Sequence, residues 1–454
     1  MKMIKTLCAI GVVAASLNAG NVMAKVSAEE AARLGADLTP IGAEKAGNAE
    51  GTIPEWTGGI TTPPAGYSQG QYYIDPFSDD KALFTITKAN MDQYKDKLSE
   101  GQMRMLIKYD SFFIPVYPTR RSISYSQEII DFVKKNAVTS EMIDGGNGIK
   151  GIEGVTPFPI TEHPIEMIWN HIMRNRGGSF QRNSVQVTPT ESGDFSPVQF
   201  YEEFSTRFEL EDFESNSDEN VYFYFKQMVT APARLAGNVL LVHETIDQVR
   251  EPRRAWIYNA GQRRVRRAPQ IGYDGPGTAS DGLRTTDQFD GFNGATDRYN
   301  WEFEGKQELY VPYNSYALDD RSLTYDDIVK PGHMNQDYMR YELHRVLKVT
   351  GTLKEGQRHI YSKRTLYIDE DSWAILAADH YDGRGELWRY YEAHNKFFYD
   401  VYSPFTTVES TYDLLSSRYI ALGLANELPY RYDFTKSFTS KVFTPAALRR
   451  SGKR

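Results

Sequence analysis

The sequence predicts an α+β protein that is mostly β, with one large, curved antiparallel sheet covered by helices and an irregular N-terminal arm. Three observations support this fold class. Residues 195–425 alternate apolar and polar side chains between turn-rich breaks, which is typical of antiparallel strands. Residues 88–178 carry short apolar stripes at helical spacing. Residues 37–80 are rich in Gly, Pro and Thr, which disfavours regular structure.

The first 24 residues have the pattern of a secretory signal peptide. Lys2 and Lys5 precede the apolar run Leu7–Leu17, and Val22-Met23-Ala24 is a small-residue cleavage box. The run is shorter than the about 20 residues that a membrane span needs. We therefore predict export with cleavage near Ala24, and a buried N-terminal helix is the alternative.

The charge balance argues against a nucleic-acid-binding protein. The chain has 52 Lys and Arg against 60 Asp and Glu, and removing Lys2 and Lys5 takes the net charge from −8 to −10. The single cysteine, Cys8, lies within the predicted signal peptide. A cleaved chain would therefore use no disulfide, thiol nucleophile or thiolate metal ligand.

We predict three regions along the chain: the signal peptide at 1–24, an irregular Gly/Pro-rich arm at 25–85, and one elaborated domain at 86–454. Helices are expected mainly at 88–178 and the sheet mainly at 195–425. Residues 37–80 of the arm hold five aromatic residues, and the arm is expected to pack along the domain; they are Trp56, Tyr67, Tyr72, Tyr73 and Phe77.

Three short helices are predicted before the sheet. Asn90 is a suitable N-cap for the first and Ser126 for the second. Pro164 fits the first position of the third, which ends at Gly177-Gly178.

The clearest strands lie in 341–393, where three turn-rich breaks separate four alternating runs: Tyr341–Val349, His359–Ile368, Trp373–Tyr381 and Glu386–Ala393. The long Gly/Asp/Thr-rich segment Pro269 to Arg298 resembles a lid or binding element, and we expect it to act as a gate. Further strands are predicted at Val221–Val229, Val239–Thr245, Ala255–Tyr258, Thr406–Asp413 and Arg418–Leu422.

The chemistry-bearing residues do not form a motif that dictates a reaction. The sequence has no Walker loop and no H-E-x-x-H zinc motif. His163, Glu166 and His171 lie on one helix, but their spacing does not place two histidines at i and i+4. We therefore predict no catalytic residues, no metal and no cofactor.

Aromatic side chains on the strands predict a ligand cavity. Tyr222 and Tyr224 are expected on one face of a strand, with Phe223 and Phe225 on the other. Apolar pockets with few polar groups are the usual form of hydrophobic binding sites, and a long-chain ligand gains about 0.8 kcal/mol per buried CH2. A well-packed core is the alternative. The candidate cavity residues are Tyr222, Tyr224, Trp256, Tyr258, Trp373 and Trp388.

An arginine-rich hairpin follows Arg253. Arg263, Arg264, Arg266 and Arg267 lie after its turn and are candidates for contact with lipid head groups or a partner protein. The alternatives are pairing with the acidic stretch 202–220 and a solvated edge hairpin protected by its charge.

Several motifs together point to a known family. They are Gly51-Thr-Ile-Pro-Glu-Trp-Thr-Gly-Gly59, Arg254-Ala-Trp-Ile-Tyr258, Ala279-Ser-Asp-Gly-Leu-Arg-Thr-Thr-Asp-Gln-Phe289, Tyr310-Val-Pro-Tyr-Asn314 and Tyr381-Asp-Gly-Arg-Gly-Glu-Leu-Trp388. In this pattern the chain resembles the domain-of-unknown-function 1329 family, exported Gram-negative proteins similar to outer-membrane lipoprotein-sorting proteins.

The resemblance implies a half-open antiparallel barrel over helices, like the periplasmic lipoprotein carrier and its outer-membrane receptor. It also implies two partners, an exporter of the resistance-nodulation-division class and a companion outer-membrane protein. The family offers no catalytic residues to carry over. The chain lacks the receptor's lipoprotein cysteine, so direct membrane anchoring is not implied, although peripheral membrane contact is.

The sequence therefore favours a periplasmic carrier or accessory factor that binds a hydrophobic, lipid-like molecule in cell-envelope transport. We expect it not to be an enzyme and not to bind nucleic acid. An envelope hydrolase acting on lipid or glycan is one alternative, and a ligand-free structural or assembly protein is another.

Overall fold

The computed structural model describes residues 26–216, 218–268, 273–429 and 431–452, so the predicted signal peptide lies outside the described residues. The α-helices are α1 (Ala28–Ala31), α2 (Glu100–Lys108), α3 (Gln127–Thr139), α4 (Pro164–Ile172), α5 (Phe213–Asn216), α6 (Tyr325–Ile328) and α7 (Pro445–Ser451). Among these described helices, none combines the length and the apolar character that crossing a membrane requires.

The strands account for most of the regular structure. They are β1 (Phe84–Ile86), β2 (Ile114–Val116), β3 (Glu141–Ile143), β4 (Gly148–Lys150), β5 (Phe180–Val187), β6 (Val198–Thr206), β7 (Val221–Ala231), β8 (Val239–Thr245), β9 (Arg254–Asn259), β10 (Arg264–Arg267), β11 (Tyr299–Pro312), β12 (Tyr341–Leu353), β13 (Lys363–Asp369), β14 (Ile375–Tyr381), β15 (Leu387–Phe398), β16 (Ser403–Asp413), β17 (Tyr419–Leu424) and β18 (Tyr432–Asp433).

One large sheet organises the molecule, as the sequence predicts. Its strand order is β1-β2-β12-β13-β14-β15-β16-β17-β5-β6-β7-β8-β9-β10, with β11 added on β12 and β18 on β5. The pairings are antiparallel, except that β2 runs parallel to β12 where Val116 meets Tyr341. The sheet thus joins two chain-order meanders, β12–β17 and β5–β10, through the single β17–β5 pairing.

Both faces of the sheet are covered. On one face, α2 and residues of the arm pack on a cluster that includes Met105, Leu343 and Tyr390. On the other, α3 and α4 pack on a second cluster that includes Val133 and Ile168. The all-buried patterns of β14 and β17 follow from this double cover.

Two of the three predicted helices begin where the sequence indicates. The Oγ of Ser126 accepts a hydrogen bond from the Ile129 amide at the start of α3, and Pro164 is the first residue of α4. The prediction for Asn90 was wrong. Its Oδ1 accepts from the Thr87 amide at 2.7 Å and closes a turn, and two short 3-10 turns follow. The α-helix α2 starts later, where Ser99 forms a capping box.

Strands β5, β6 and β11 are not among the individual strands that the sequence predicts, although β6 and β11 lie within the predicted sheet region 195–425. In β5, Arg182, Ser184 and Gln186 are polar yet buried, so this strand lacks the apolar alternation that identifies a half-buried strand. Strand β11 does alternate, but its outward residues are charged and a bulge interrupts it next to Gly305.

Residues 26–83 contain one four-residue helix and otherwise irregular backbone. Their aromatic side chains contact the rest of the chain. The indole of Trp56 donates to the Ile123 carbonyl at 2.8 Å, and the hydroxyls of Tyr67 and Tyr73 both donate to Asp400.

Candidate functional site

A pocket lies between the sheet and the long loop that follows β10. Its floor is formed by Phe223 and Phe225 of β7 and by Leu240 and Val242 of β8, and Phe289 of the loop lies above them. The cavity volume is about 70 Å³. We call this cavity the loop pocket and residues 273–298 the covering loop. Since most of its floor is apolar, the pocket offers an environment for a hydrophobic group.

A β-bulge decides which aromatic residues of β7 face the loop pocket. The pairing with β8 skips Tyr222 between Val221 and Phe223. Tyr222 and Phe223 therefore pack into the same cluster, whereas Tyr224 packs into a different one. The prediction that Tyr222 and Tyr224 share one face was wrong, because an inserted residue shifts the period-two pattern.

Buried ion pairs fix the inner half of the covering loop to the sheet and to the segment that follows α4. Asp287 lies 3.1 Å from the guanidinium of Arg364, and Asp290 lies between Arg174 and Arg176. Burial alone would raise the pKa of both carboxyls, but the arginine charges outweigh it and hold each pKa well below its ordinary value. The loop is therefore anchored by charge at two points.

The rim of the pocket contains one engaged carboxylate, Glu244. It accepts from Arg253 at 2.8 Å, from Gln248 at 2.9 Å and from Asn293 at 2.9 Å. No second carboxylate lines this pocket within the described part of the chain. The facing carboxylate pair that a glycosidase needs is therefore not assembled there.

Arg174, Arg176 and Arg364 each pair with a carboxylate of the covering loop, whereas Arg284 forms no ion pair with a described carboxylate. It lines the pocket and is only 9% exposed. Its Nε has no hydrogen-bond partner among the described residues. Burial lowers the pKa of Arg284, and the charge of Glu409 is the largest opposing influence. The loop pocket thus combines an apolar floor with an unpaired cationic group.

The floor of the pocket continues across the sheet towards its edge. Residues directly opposite on antiparallel strands share a face, and here Gln227 pairs with Leu240, Leu240 with Ile257, and Ile257 with Arg266. Ile257 is 40% exposed. Arg264 lies on this same face, opposite Asn259. Leu240 and Ile257 therefore form a two-residue apolar row that leads from the pocket to a cationic edge.

The four predicted arginines divide between the two faces of that edge. All four are exposed, and we call them the basic edge. Arg264 and Arg266 lie on the pocket face, whereas Arg267 is opposite Trp256 on the other face and Arg263 lies in the turn. Of the four candidate arginines, only Arg264 and Arg266 therefore lie on the same face as the loop pocket.

The predicted cavity aromatics do not come together in one place. Tyr224, Trp256 and Tyr258 share a cluster beneath α7 on the face opposite to the loop pocket. Tyr222 and Trp373 belong to the cluster under α4. The remaining residue lies apart from these groups: the indole of Trp388 donates to Asp413 at 2.9 Å.

Trp373 lies in the turn before β14, with φ 59°, and not in the strand that the sequence predicts. Its indole donates to the Ile41 carbonyl at 3.0 Å. It also lines a groove of about 610 Å³ that begins at Val26, the first described residue. Tyr258 lines another groove, of about 630 Å³, that reaches Gly452, the last described residue.

Two short patterns in the sequence match enzyme motifs but lack their structural context. Gly66-Tyr-Ser-Gln-Gly70 matches the G-x-S-x-G pattern, yet it lies in the irregular arm and not at a strand-to-helix turn. Gly146-Asn-Gly-Ile-Lys-Gly151 matches G-x-G-x-x-G, but it leads into β4 and not into a helix. Neither supports the chemistry of its motif.

One buried group could present three ligands to a metal ion: His344, Asp369 and Asp371. Arg121 already forms two hydrogen bonds with Asp371, at 2.6 and 2.8 Å. Burial and the neighbouring Asp371 charge raise the pKa of Asp369 to about 7. An ion would have to displace a buried guanidinium, so we assign this group to structural ion pairing.

A comparison with known families decides the classification. Residues 85–449 match the model of the protein family of unknown function DUF1329. The chain belongs to the DUF1329 family. Over 455 residues it is 56% identical to the uncharacterized protein PA3922 of Pseudomonas aeruginosa, with both chains covered completely.

Solved structures include similar folds at low sequence identity. A domain classed as an outer membrane lipoprotein-sorting protein from Vibrio parahaemolyticus is 12% identical, has a TM-score of 0.44, and covers 63% of this chain and 97% of its own. A DUF1329 family protein from Desulfovibrio piger is 13% identical, has a TM-score of 0.42, and covers 60% and 92%. A LolA superfamily protein, NE2245 from Nitrosomonas europaea, is 14% identical, has a TM-score of 0.35, and covers 60% and 92%.

Proposed function

We propose that this DUF1329 protein is a periplasmic carrier or accessory factor that binds a hydrophobic, lipid-like molecule during cell-envelope transport. The observation that carries the proposal is the apolar floor of the loop pocket and its continuation to the basic edge. A ligand on this face would bury its chain against Phe225, Leu240 and Ile257. Each buried CH2 would contribute about 0.8 kcal/mol.

The size of the pocket limits how a long chain binds. A cavity of about 70 Å³ corresponds to roughly two water molecules at about 30 Å³ each. A longer chain must therefore lie along the exposed row towards Ile257 or displace the covering loop. Residues 283–296 of that loop are mostly buried, whereas 273–282 are mostly half-buried or exposed. We infer that the outer half opens as the gate while the ion-paired inner half stays in place.

In our proposal, the basic edge contacts the membrane surface or the partner protein from which the ligand comes. Arg264 and Arg266 lie on the pocket face, at the end of the apolar row. Their exposed guanidinium groups suit anionic head groups at a membrane surface or an acidic surface on a partner. An exporter of the resistance-nodulation-division class and an outer-membrane protein are the partners that we propose for this edge.

Extraction of the native protein tests ligand binding directly. We would purify the full chain from the periplasm, record its mass under gentle native conditions, and identify what an organic solvent releases. We expect an apolar molecule at stoichiometric amount. Leu240→Glu, which places a charge on the pocket floor, should be empty, and Leu415→Glu on an exposed turn should retain the ligand. Equal loading of both variants would contradict the proposed site.

The basic edge offers a matched pair of double variants. Arg264→Glu with Arg266→Glu reverses charge on the pocket face, and Arg263→Glu with Arg267→Glu makes the same charge change elsewhere on the hairpin. With vesicles containing anionic phospholipid, we expect the first pair to slow ligand transfer about tenfold and the second to slow it less than threefold. Equal transfer by both variants would exclude a face-specific role.

The predicted export has its own test. Chain isolated from the periplasm is expected to begin at Lys25, since the cleavage box ends at Ala24. Terminal sequencing would show this, and an intact Met1 in a periplasmic fraction would contradict cleavage.

A further inference from the structure

We propose that the ligand of the loop pocket is an anionic amphiphile, whose carboxylate or phosphate group binds the Arg284 guanidinium at the inner end of the pocket. This inference rests on the proposed function, because it names the chemical class of the molecule bound at the same site. Its apolar chain would then extend along the floor towards the sheet edge.

The first support is the isolation of Arg284. Its side chain lines the cavity, it is 9% exposed, and its Nε has no hydrogen-bond partner in the described ranges. A buried charge without a partner is unfavourable, since neither water nor an opposite charge compensates it. An anionic ligand would supply that missing partner, and arginine is well suited to carboxylate and phosphate geometry.

The second support is that nearby carboxylates are already engaged. Glu202 accepts from Arg182 and from Gln227, the latter at 2.7 Å. Glu409 accepts from the Asp290 amide at 3.2 Å. Burial, together with the Asp290 charge, raises the pKa of Glu409 to about 7, so this carboxyl neutralises Arg284 only in part.

The third support is the close approach of the covering-loop backbone to the Arg284 guanidinium. The Gly277 amide donates to the Arg284 carbonyl at 2.9 Å. A Cβ at Gly277 would lie 2.9 Å from the guanidinium carbon, so the glycine allows the backbone to approach the arginine closely. The next anchor, Asp287, is paired with Arg364. The Arg284 guanidinium therefore lies directly against the loop backbone at Gly277, within the part of the loop that these contacts order.

The position of Arg284 also gives the ligand a direction. Its charge interacts with Glu409 of β16 and Glu202 of β6, which lie inward from β8 and β9 in the sheet order. The apolar row runs the opposite way, through Leu240 to Ile257. We therefore infer that the anionic group enters first and that the chain points towards the basic edge.

The probes should separate the charge from the chain. Calorimetric titration of delipidated full chain would use dodecanoate, dodecyl phosphate, methyl dodecanoate, acetate and inorganic phosphate, with the detergent-like probes kept below micelle formation. We expect dodecanoate or dodecyl phosphate to bind at least about tenfold more tightly than methyl dodecanoate. We expect acetate and inorganic phosphate to bind far more weakly, because they bury no chain.

The matched variants are Arg284→Met and Arg104→Met. Arg284→Met keeps the side-chain bulk but removes the charge, so we expect it to bind methyl dodecanoate as wild type does and to lose the preference for the anion. Arg104→Met, at an exposed position of α2, should keep that preference. We also expect ligand-free Arg284→Met to melt at the same temperature as wild type or higher, because an uncompensated buried charge is removed.

The outcomes distinguish this inference from the proposed function. Equal affinity for ester and acid in wild type would overturn the anionic class and leave hydrophobic binding intact. Failure to bind all three chain-bearing probes would overturn both. If acetate or inorganic phosphate bound as tightly as the chain-bearing anions, the site would be a simple anion site. A large drop in the melting temperature of Arg284→Met would make Arg284 a structural residue and overturn the inference.

Discussion

Buried charges around the covering loop are compensated to different degrees, and the difference separates structural residues from the proposed ligand contact. Asp290 has two arginine partners, Arg174 and Arg176, whereas Arg284 has no ion-pair partner among the described residues. The first arrangement stabilises the empty protein. In our proposal, a bound anion would supply the compensation that the second arrangement lacks.

Asp290→Asn tests the structural pair. The change leaves two buried guanidinium groups without their shared carboxylate, so we expect the free energy of unfolding to fall by about 3–5 kcal/mol. Urea denaturation at neutral pH would measure it. Asp281→Asn, which affects an exposed pair with Arg418, should change stability by less than about 1 kcal/mol. Similar small effects of both variants would contradict the anchoring role of Asp290.

The raised pKa of Asp379 predicts that the stability of the protein depends on pH. Burial raises its pKa to about 7, against an ordinary value of 3.8, even though Tyr367 and the Gly101 amide donate to it. Between these two values the folded state keeps a proton that the unfolded state has lost, so this residue's contribution to stability falls as pH rises. Wild type should lose on the order of 2–4 kcal/mol relative to Asp379→Asn from pH 4 to pH 7. Unfolding curves at several pH values would show it, and parallel pH profiles would refute it.

Residue roles were only partly predictable from sequence. The arginines of the hairpin and the aromatic excess of β7 are visible in the chain, and so is the long loop. Arg284 is not recognisable, because its importance comes from burial and from neighbours on β6 and β16 that lie far away in sequence. The positions of Tyr222 and Trp373 depend on a bulge and on a turn residue with positive φ, which alternation does not reveal.

At the scale of elements, local capping chemistry explains which helices were predicted correctly. Ser126 and Pro164 act locally, through an N-cap hydrogen bond and a fixed φ. Asn90 has the same chemistry as a cap, but its side chain bonds to Thr87 and completes a turn instead. The choice between cap and turn depends on the backbone that precedes Asn90.

Ser126→Ala measures one such cap. Loss of the hydroxyl acceptor leaves the Ile129 amide without its capping partner, so we expect a loss of about 1 kcal/mol in unfolding free energy. Ser126→Asp keeps an acceptor and should restore most of the stability. Thermal or urea unfolding of the three proteins would decide, and equal stability of Ala and Asp variants would speak against the cap.

At the scale of the whole molecule, the sheet should exchange its amide hydrogens unevenly. Strand β14 is buried along its whole length, whereas β10 is an exposed edge. We expect exchange in β10 to be at least roughly a thousandfold faster than in β14, since edge strands open without global unfolding. Hydrogen-exchange mass spectrometry would measure this ratio, and uniform protection would show that the sheet opens only as one unit.

The fold class was predictable because a meander repeats one simple pattern, with alternating residues and a turn after each strand. The strand order was not, because the pairing of β17 with β5 brings together segments that no local signal connects. Strand β5 could not be recognised as a buried strand because Arg182 and Gln186 are polar. Their hydrogen-bond partners come from β6 and from the covering loop, which are distant in sequence. The sequence does not show which distant residues form hydrogen bonds with these buried polar groups.

That same pairing imposes an order on synthesis. Val187 and Ala421 are partners, although 234 residues of chain separate them. Synthesis proceeds at about 5–20 residues per second, so the edge of β5 is without its partner strand β17 for about 10–50 s. During this interval an unpaired strand is a template for association with other chains. We therefore expect the unpaired edge of β5 to be open to such association in the newly made chain until β17 has been made.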